Sequence, residues 1–134
     1  GLPMHNGLVN YFDQAENAFI SAYRKHEDDG AFQIRVEYFA SPSLQDKVLI
    51  LSDPMLASGK SMVLSYKAML KNGTPKHTYL AVAIASREGL DYARAHLPEN
   101  TTMWIGAVDD ELSSKSYIIP GLGDAGDLAF GEKL

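Results

Sequence analysis

Three short apolar runs constrain this chain more than anything else in it. They are Lys47–Ser52 (KVLILS), Tyr79–Ala85 (YLAVAIA) and Thr102–Val108 (TMWIGAV). The first holds four apolar residues in succession rather than in alternation. A strand covered on both faces reads this way, which is the mark of a parallel sheet. Helical segments separate the runs. Gly59–Leu70 places Val63, Tyr66 or Lys67, and Leu70 roughly in helical register, and Lys71-Asn72-Gly73 stops it. Gly89–Leu97 forms a shorter helix that ends at Pro98. Strand, helix, strand, helix, strand requires right-handed crossovers, so the expected class is α/β with a parallel sheet. Trp104 is expected in the core of its strand.

The flanks are less regular. Met4, Leu8 and Phe12 recur every four residues and predict a helix within 4–16, against which Gly7 works. Ala18–Tyr23 predicts a strand. Arg24 to Asp29 is a charged turn. Gln33–Phe39 alternates polar and apolar residues like a hairpin strand, and Ser41-Pro42-Ser43 breaks the chain.

The bulk numbers exclude several function classes. At 134 residues the chain supports one domain and one core, and no repeat or linker divides 1–134. A net charge of −5 provides no basic field for nucleic acid. With no Cys, these residues hold no disulfide framework, thiolate nucleophile or Cys-ligated zinc. His5, His26, His77 and His96 are scattered, so no metal site is expected. No apolar run reaches membrane-spanning length, and no leader pattern opens the chain, so a cytoplasmic protein is expected.

Two loops carry the candidate chemistry. Asp53-Pro54-Met55-Leu56-Ala57-Ser58-Gly59-Lys60-Ser61 leaves the first strand with an acid, then offers two hydroxyls, a Gly and a Lys as a helix opens. Free amides at such a helix start suit phosphate. An ordinary capped turn has the same composition. Gly59-Lys60-Ser61 imitates the end of a P-loop, but Pro54 stands where that motif needs its first Gly. The second loop, Tyr117 to Asp127 (YIIPGLGDAGD), packs three glycines into six residues. It is either a backbone-rich binding loop or a glycine-rich turn before a tail.

Together the loops resemble the uracil phosphoribosyltransferases. Asp53 to Ser61 is similar to that family's phosphoribosyl-diphosphate loop, D-P-M-L-A-T-G-G-S. Tyr117 to Asp127 resembles its C-terminal uracil-binding loop almost letter for letter. Ala22-Tyr23-Arg24 resembles its arginine-bearing strand end, Val36 to Phe39 its flexible arm, and Asp109 to Leu112 its acidic stretch before the uracil loop. The resemblance implies a Rossmann-like phosphoribosyltransferase fold with a flexible hairpin arm and a C-terminal base-binding hood. It implies transfer of a phosphoribosyl group from 5-phosphoribosyl 1-diphosphate to uracil, giving UMP and diphosphate, with Mg²⁺ neutralising the donor. Ala57, Ser58, Gly59, Lys60 and Ser61 would then cradle the 5-phosphate, after Pro54, Met55 and Leu56. Asp53 would hold the ribose, and Arg24 the diphosphate. Ile118, Gly123 and Ala125 would read uracil through the main chain, and Asp124 would face the ribosyl donor. Asp53 and Asp124 are thus the implied catalytic residues. Met55 and Tyr117 could floor the pocket, although Tyr117 equally suits core packing. A homodimer or larger oligomer is implied.

The sequence departs from the family pattern in places. Lys60 replaces a Gly, and either crowds the phosphate or adds a cation to it; Ser58 replaces a Thr but keeps the hydroxyl. Leu128-Ala129 replaces a basic-apolar pair. The match begins after the point where the family carries a strand ending I-L-R-A-G, so the chain is expected to be the C-terminal part of a longer protein, with a gap in its sheet. A non-catalytic fragment and a pyrimidine-nucleotide-sensing regulator on the same fold are the alternatives.

Overall fold

The computed structural model describes residues 1–26 and 32–131, without the side chains of 22–36. The chain opens with helix α1 (Leu2–Tyr11), which has Pro3 in its first turn and buries no residue. The expected helix thus starts earlier and stops before Phe12. A Pro is favoured at a helix start, where its missing N–H costs nothing. Strands β1 (Phe19–His26) and β2 (Phe32–Ala40) form an antiparallel ribbon in which Phe19 pairs with Ala40 and Ile20 with Phe39. The ribbon shifts register between Ser21 and Ala22. Of the charged turn expected over Arg24 to Asp29, Arg24 to His26 instead extend β1, and the remainder falls in residues 27–31, outside the described residues.

The three apolar runs form the central sheet, in the order β3 (Val48–Leu56), β4 (His77–Ser86), β5 (Thr101–Asp109). All pairs are parallel, and Leu51, Leu80 and Met103 share one register row. β3 continues beyond the KVLILS run to Leu56, carrying Pro54 within it. Pro is tolerated in an edge strand, which β3 is among the described residues. Helix α2 (Lys60–Met69) connects β3 to β4 and ends in a 3₁₀ turn over Leu70–Asn72. Helix α3 (Arg87–His96) connects β4 to β5.

Both crossovers step in the same direction across the sheet. Right-handed connections of that kind put both helices on one face. Met62 of α2 and Ala93 of α3 accordingly pack with Leu56, Leu80, Val82 and Ala85. A second cluster joins Leu44, Leu49, Tyr66 and Met69. The expectation of strands covered on both faces therefore fails among the described residues. Val48 is 48% and Ile50 37% exposed, and Trp104, expected in the core, is 66% exposed. Each lies on the face opposite α2 and α3.

After β5 the chain makes a small antiparallel pair, β6 (Glu111–Leu112) with β7 (Ile118–Ile119), and ends in helix α4 (Ala125–Phe130). No described helix is long and apolar enough to cross a membrane. Leu80 is 1% exposed at the centre of the sheet. Leu80→Ala should therefore lower unfolding free energy by about 2–5 kcal/mol in a denaturant titration.

Candidate functional site

In an open parallel α/β sheet the loops leaving the strand carboxyl ends face the ligand. Both singled-out loops lie there. The first leaves β3 beside β4, since Leu56 pairs with Ala85; the second follows β5, whose Asp109 pairs with Ser86. One strand separates them. At about 4.8 Å between neighbouring strands, the ends of β3 and β5 stand about 10 Å apart.

The first loop is shaped by its backbone. Asp53 is half-buried within β3, and its carboxylate accepts the N–H of Met55 at 3.0 Å, bridging Pro54. Burial holds the Asp53 carboxyl above its ordinary range, opposed in part by that hydrogen bond. Ser58 and Gly59 are buried, Ala57 and Ser61 half-buried, and Lys60 exposed. Gly59 caps α2 with φ 73°, and a Cβ there would lie 2.6 Å from the Gly89 carbonyl oxygen. No side chain caps the helix, so its first amides have no side-chain acceptor at the cap. The exposed Lys60 side chain is directed to solvent instead of the packed interior of the loop. An apolar-walled cavity of about 840 Å³ borders Asp53, Ser58, Gly59 and Ser61, and Phe130 at the end of α4 lines it too.

Two residues that the sequence did not single out hold this loop. Ser86, fully buried at the end of β4, donates from its Oγ to the Ala57 carbonyl at 2.5 Å and accepts the Gly89 N–H at 2.9 Å. Gly89 packs so close that a Cβ would lie 2.1 Å from the Ala57 oxygen. The helix expected to begin at Gly89 begins at Arg87 instead, because Ser86 supplies the cap. A Ser just before Arg-Glu-Gly was the available signal for the cap. Its bond to Ala57, 29 residues away, had none.

The second loop is pinned at both ends. The Ser113 N–H bonds to the Tyr117 carbonyl at 2.8 Å, and the Tyr117 N–H to the Ser113 hydroxyl at 3.0 Å. The Tyr117 side chain is 39% exposed, so it is not core packing. Ile118 is buried and pairs with Leu112. The Ile119–Pro120 peptide is cis. Gly121 follows at φ 51°, with its N–H donating to Asp109 Oδ2 at 3.0 Å. Gly123 has φ 81°, with open space where a Cβ would be. Asp124 caps α4, accepting the N–H groups of Gly126 at 2.7 Å and Asp127 at 3.0 Å on Oδ1. Ala125 opens that helix. Arg24 lies in β1, and its side chain is outside the described residues.

A parallel α/β sheet with two loops at its carboxyl edge defines the class, and comparison defines the family. A family model for uracil phosphoribosyltransferase matches residues 1–132. A uracil phosphoribosyltransferase of Porphyromonas gingivalis is 60% identical over 134 residues, covering 100% of this chain and 62% of that protein. Another, from Methanothermobacter thermautotrophicus, is 39% identical over 130 residues, covering 97% of this chain and 58% of its own. The solved AQ2163 protein of Aquifex aeolicus superposes with a TM-score of 0.83 at 31% identity, over 93% of this chain and 58% of that one. The chain belongs to the uracil phosphoribosyltransferase family. It spans about three-fifths of the length of these relatives. The expected α/β phosphoribosyltransferase fold is the one observed.

Two outcomes check this geometry. Gly89→Ala should cost about 1–3 kcal/mol of stability by overpacking against the Ala57 carbonyl, read as a lowered denaturation midpoint. The second concerns Asp53. A carboxyl raised by burial stabilises the fold only while protonated: its contribution is whole below the ordinary value of 3.8 and is lost as pH rises through the raised one. Asp53→Asn cannot ionise and still offers Met55 an acceptor. Its stability relative to the parent should therefore rise with pH across that window and then level off.

Proposed function

We propose that the protein is a uracil phosphoribosyltransferase: uracil and 5-phosphoribosyl 1-diphosphate give UMP and diphosphate, a salvage reaction. The carrying observation is the match to the P. gingivalis relative across this whole chain, which includes both loops. The loop placement supports it. A phosphate site after β3 and a base site after β5, separated by β4, leave the width of one strand for a ribose.

In this reading a uracil nitrogen bonds to the anomeric carbon as the carbon–oxygen bond to diphosphate breaks, and the nitrogen loses its proton. Such a step needs positioning and charge stabilisation more than a protein nucleophile. Ala57 to Ser61 hold the 5-phosphate with amides and hydroxyls, and exposed Lys60 adds a cation at the rim. Asp53 holds the ribose hydroxyls, and Arg24 the diphosphate. Ile118, Gly123 and Ala125 read the two carbonyls and two N–H groups of uracil through the backbone, above Tyr117. The Asp124 carboxylate faces the developing positive charge of the ribosyl ring. Mg²⁺ bound with the donor would supply positive charge that neutralises the diphosphate. Such an ion takes oxygen ligands and water, and the Asp53 carboxylate near the end of β3 would be an oxygen ligand of that kind. A dimer or larger assembly belongs to the same proposal.

The test is a UMP-forming assay with uracil, the ribosyl donor and Mg²⁺, run on this chain and on a longer form matching its relatives. Turnover of guanine or orotate but not uracil would overturn the substrate. Asp124→Asn retains a good helix cap, so α4 stays in place. It should still lower kcat about 100-fold or more by removing charge beside the transition state. Near-normal rates would remove Asp124 from the chemistry.

A further inference from the structure

The last residues of β4 and β5 are register partners: Ser86 lies opposite Asp109. Each directs its side chain to a different loop. Ser86, 0% exposed, bonds the Ala57 carbonyl of the phosphate loop at 2.5 Å. Asp109 accepts the Gly121 N–H of the base loop at 3.0 Å. Each loop is thereby hydrogen-bonded to the last residue of a sheet strand. A Cβ on Gly89 would meet the Ala57 oxygen at 2.1 Å, and one on Gly121 the Ile118 oxygen at 2.1 Å, so both contacts are backbone against backbone.

We infer that Ser86 and Asp109 are paired positioning residues that set the spacing between the phosphate loop and the base loop. Ser86 holds Ala57–Ser61 in place for the ribosyl donor, and Asp109 holds Gly121–Asp124 in place for the base. Because they adjoin in the β4–β5 ladder, the two loops are referred to one rigid row of the sheet. The substrates named here rest on the uracil phosphoribosyltransferase reading. The loop-holding itself rests on the hydrogen bonds.

A serine that merely caps α3 would, when removed, lower stability and leave substrate recognition alone. Paired positioning gives a split instead. In the intact protein, Ser86→Ala should raise KM for the ribosyl donor about fivefold or more, the fold-change of one net hydrogen bond, and leave KM for uracil unchanged. Asp109→Ala should do the reverse. Ser86→Thr and Asp109→Asn keep an oxygen in place and should restore most of each loss. Substrate-free hydrogen exchange supplies a readout independent of activity: faster exchange at residues 58–61 in Ser86→Ala, and at 121–124 in Asp109→Ala. Equal movement of both KM values in each variant, or faster exchange confined to α3 in Ser86→Ala, would overturn the inference. If the parent protein forms no UMP while the exchange pattern appears, the enzyme reading fails and the positioning role stands. Should Ser86→Ala fail to fold, Asp109→Ala decides alone: a rise in KM for uracil only supports the pairing, and an unchanged value overturns it.

Discussion

Parallel pairing of β3, β4 and β5 is the constraint on which the other features depend. Parallel strands must be joined by crossovers, and crossovers of one hand taken in one direction place α2 and α3 on the same face. That gives the sheet its buried side, where Leu80 and Val82 meet Met62 and Ala93. The same pairing brings all three carboxyl ends to one edge. Two loops remote in sequence, around residues 57 and 121, thereby become neighbours across a single strand.

The site assembled at that edge is largely main chain. Gly59, Gly121 and Gly123 adopt positive φ, and Gly89 admits an approach that any Cβ would block. Three carboxylates beside it are held: Asp53 bonds the Met55 amide, Asp109 the Gly121 amide, and Asp124 the first amides of α4. Side chains fixed in this way lose little freedom on meeting a ligand. Such an arrangement suits a reaction governed by placement and charge rather than by covalent attack.

Not all of this was readable in advance. The strands of the central sheet were, because unbroken apolar runs bounded by Gly, Pro and Asn are strong local signals. The two loops were also visible as loops, but their residues fit an ordinary turn as well as a binding loop, and it was their joint resemblance to one family that singled them out. Strand faces were misjudged. An apolar run does not say whether one or both sides are covered, and Val48, Ile50 and Trp104 lie on the uncovered one. Helix α1 was misplaced by several residues because it buries nothing, so its periodicity carried little information. The contacts of Ser86 and Gly89 with the first loop were not legible because their partners, Leu56 and Ala57, lie in another part of the chain.

The amino-acid sequence by itself determined the order of strands and helices and the composition of both loops. These follow from local rules: apolar continuity, helical spacing, and the conformations open to Gly and Pro. Only the tertiary structure decided which sheet face is covered, how far apart the loops stand, and that Ser86 and Asp109 hold them from adjacent positions. Those are properties of strand register and crossover hand, and they exist only once residues far apart in the chain are hydrogen-bonded side by side.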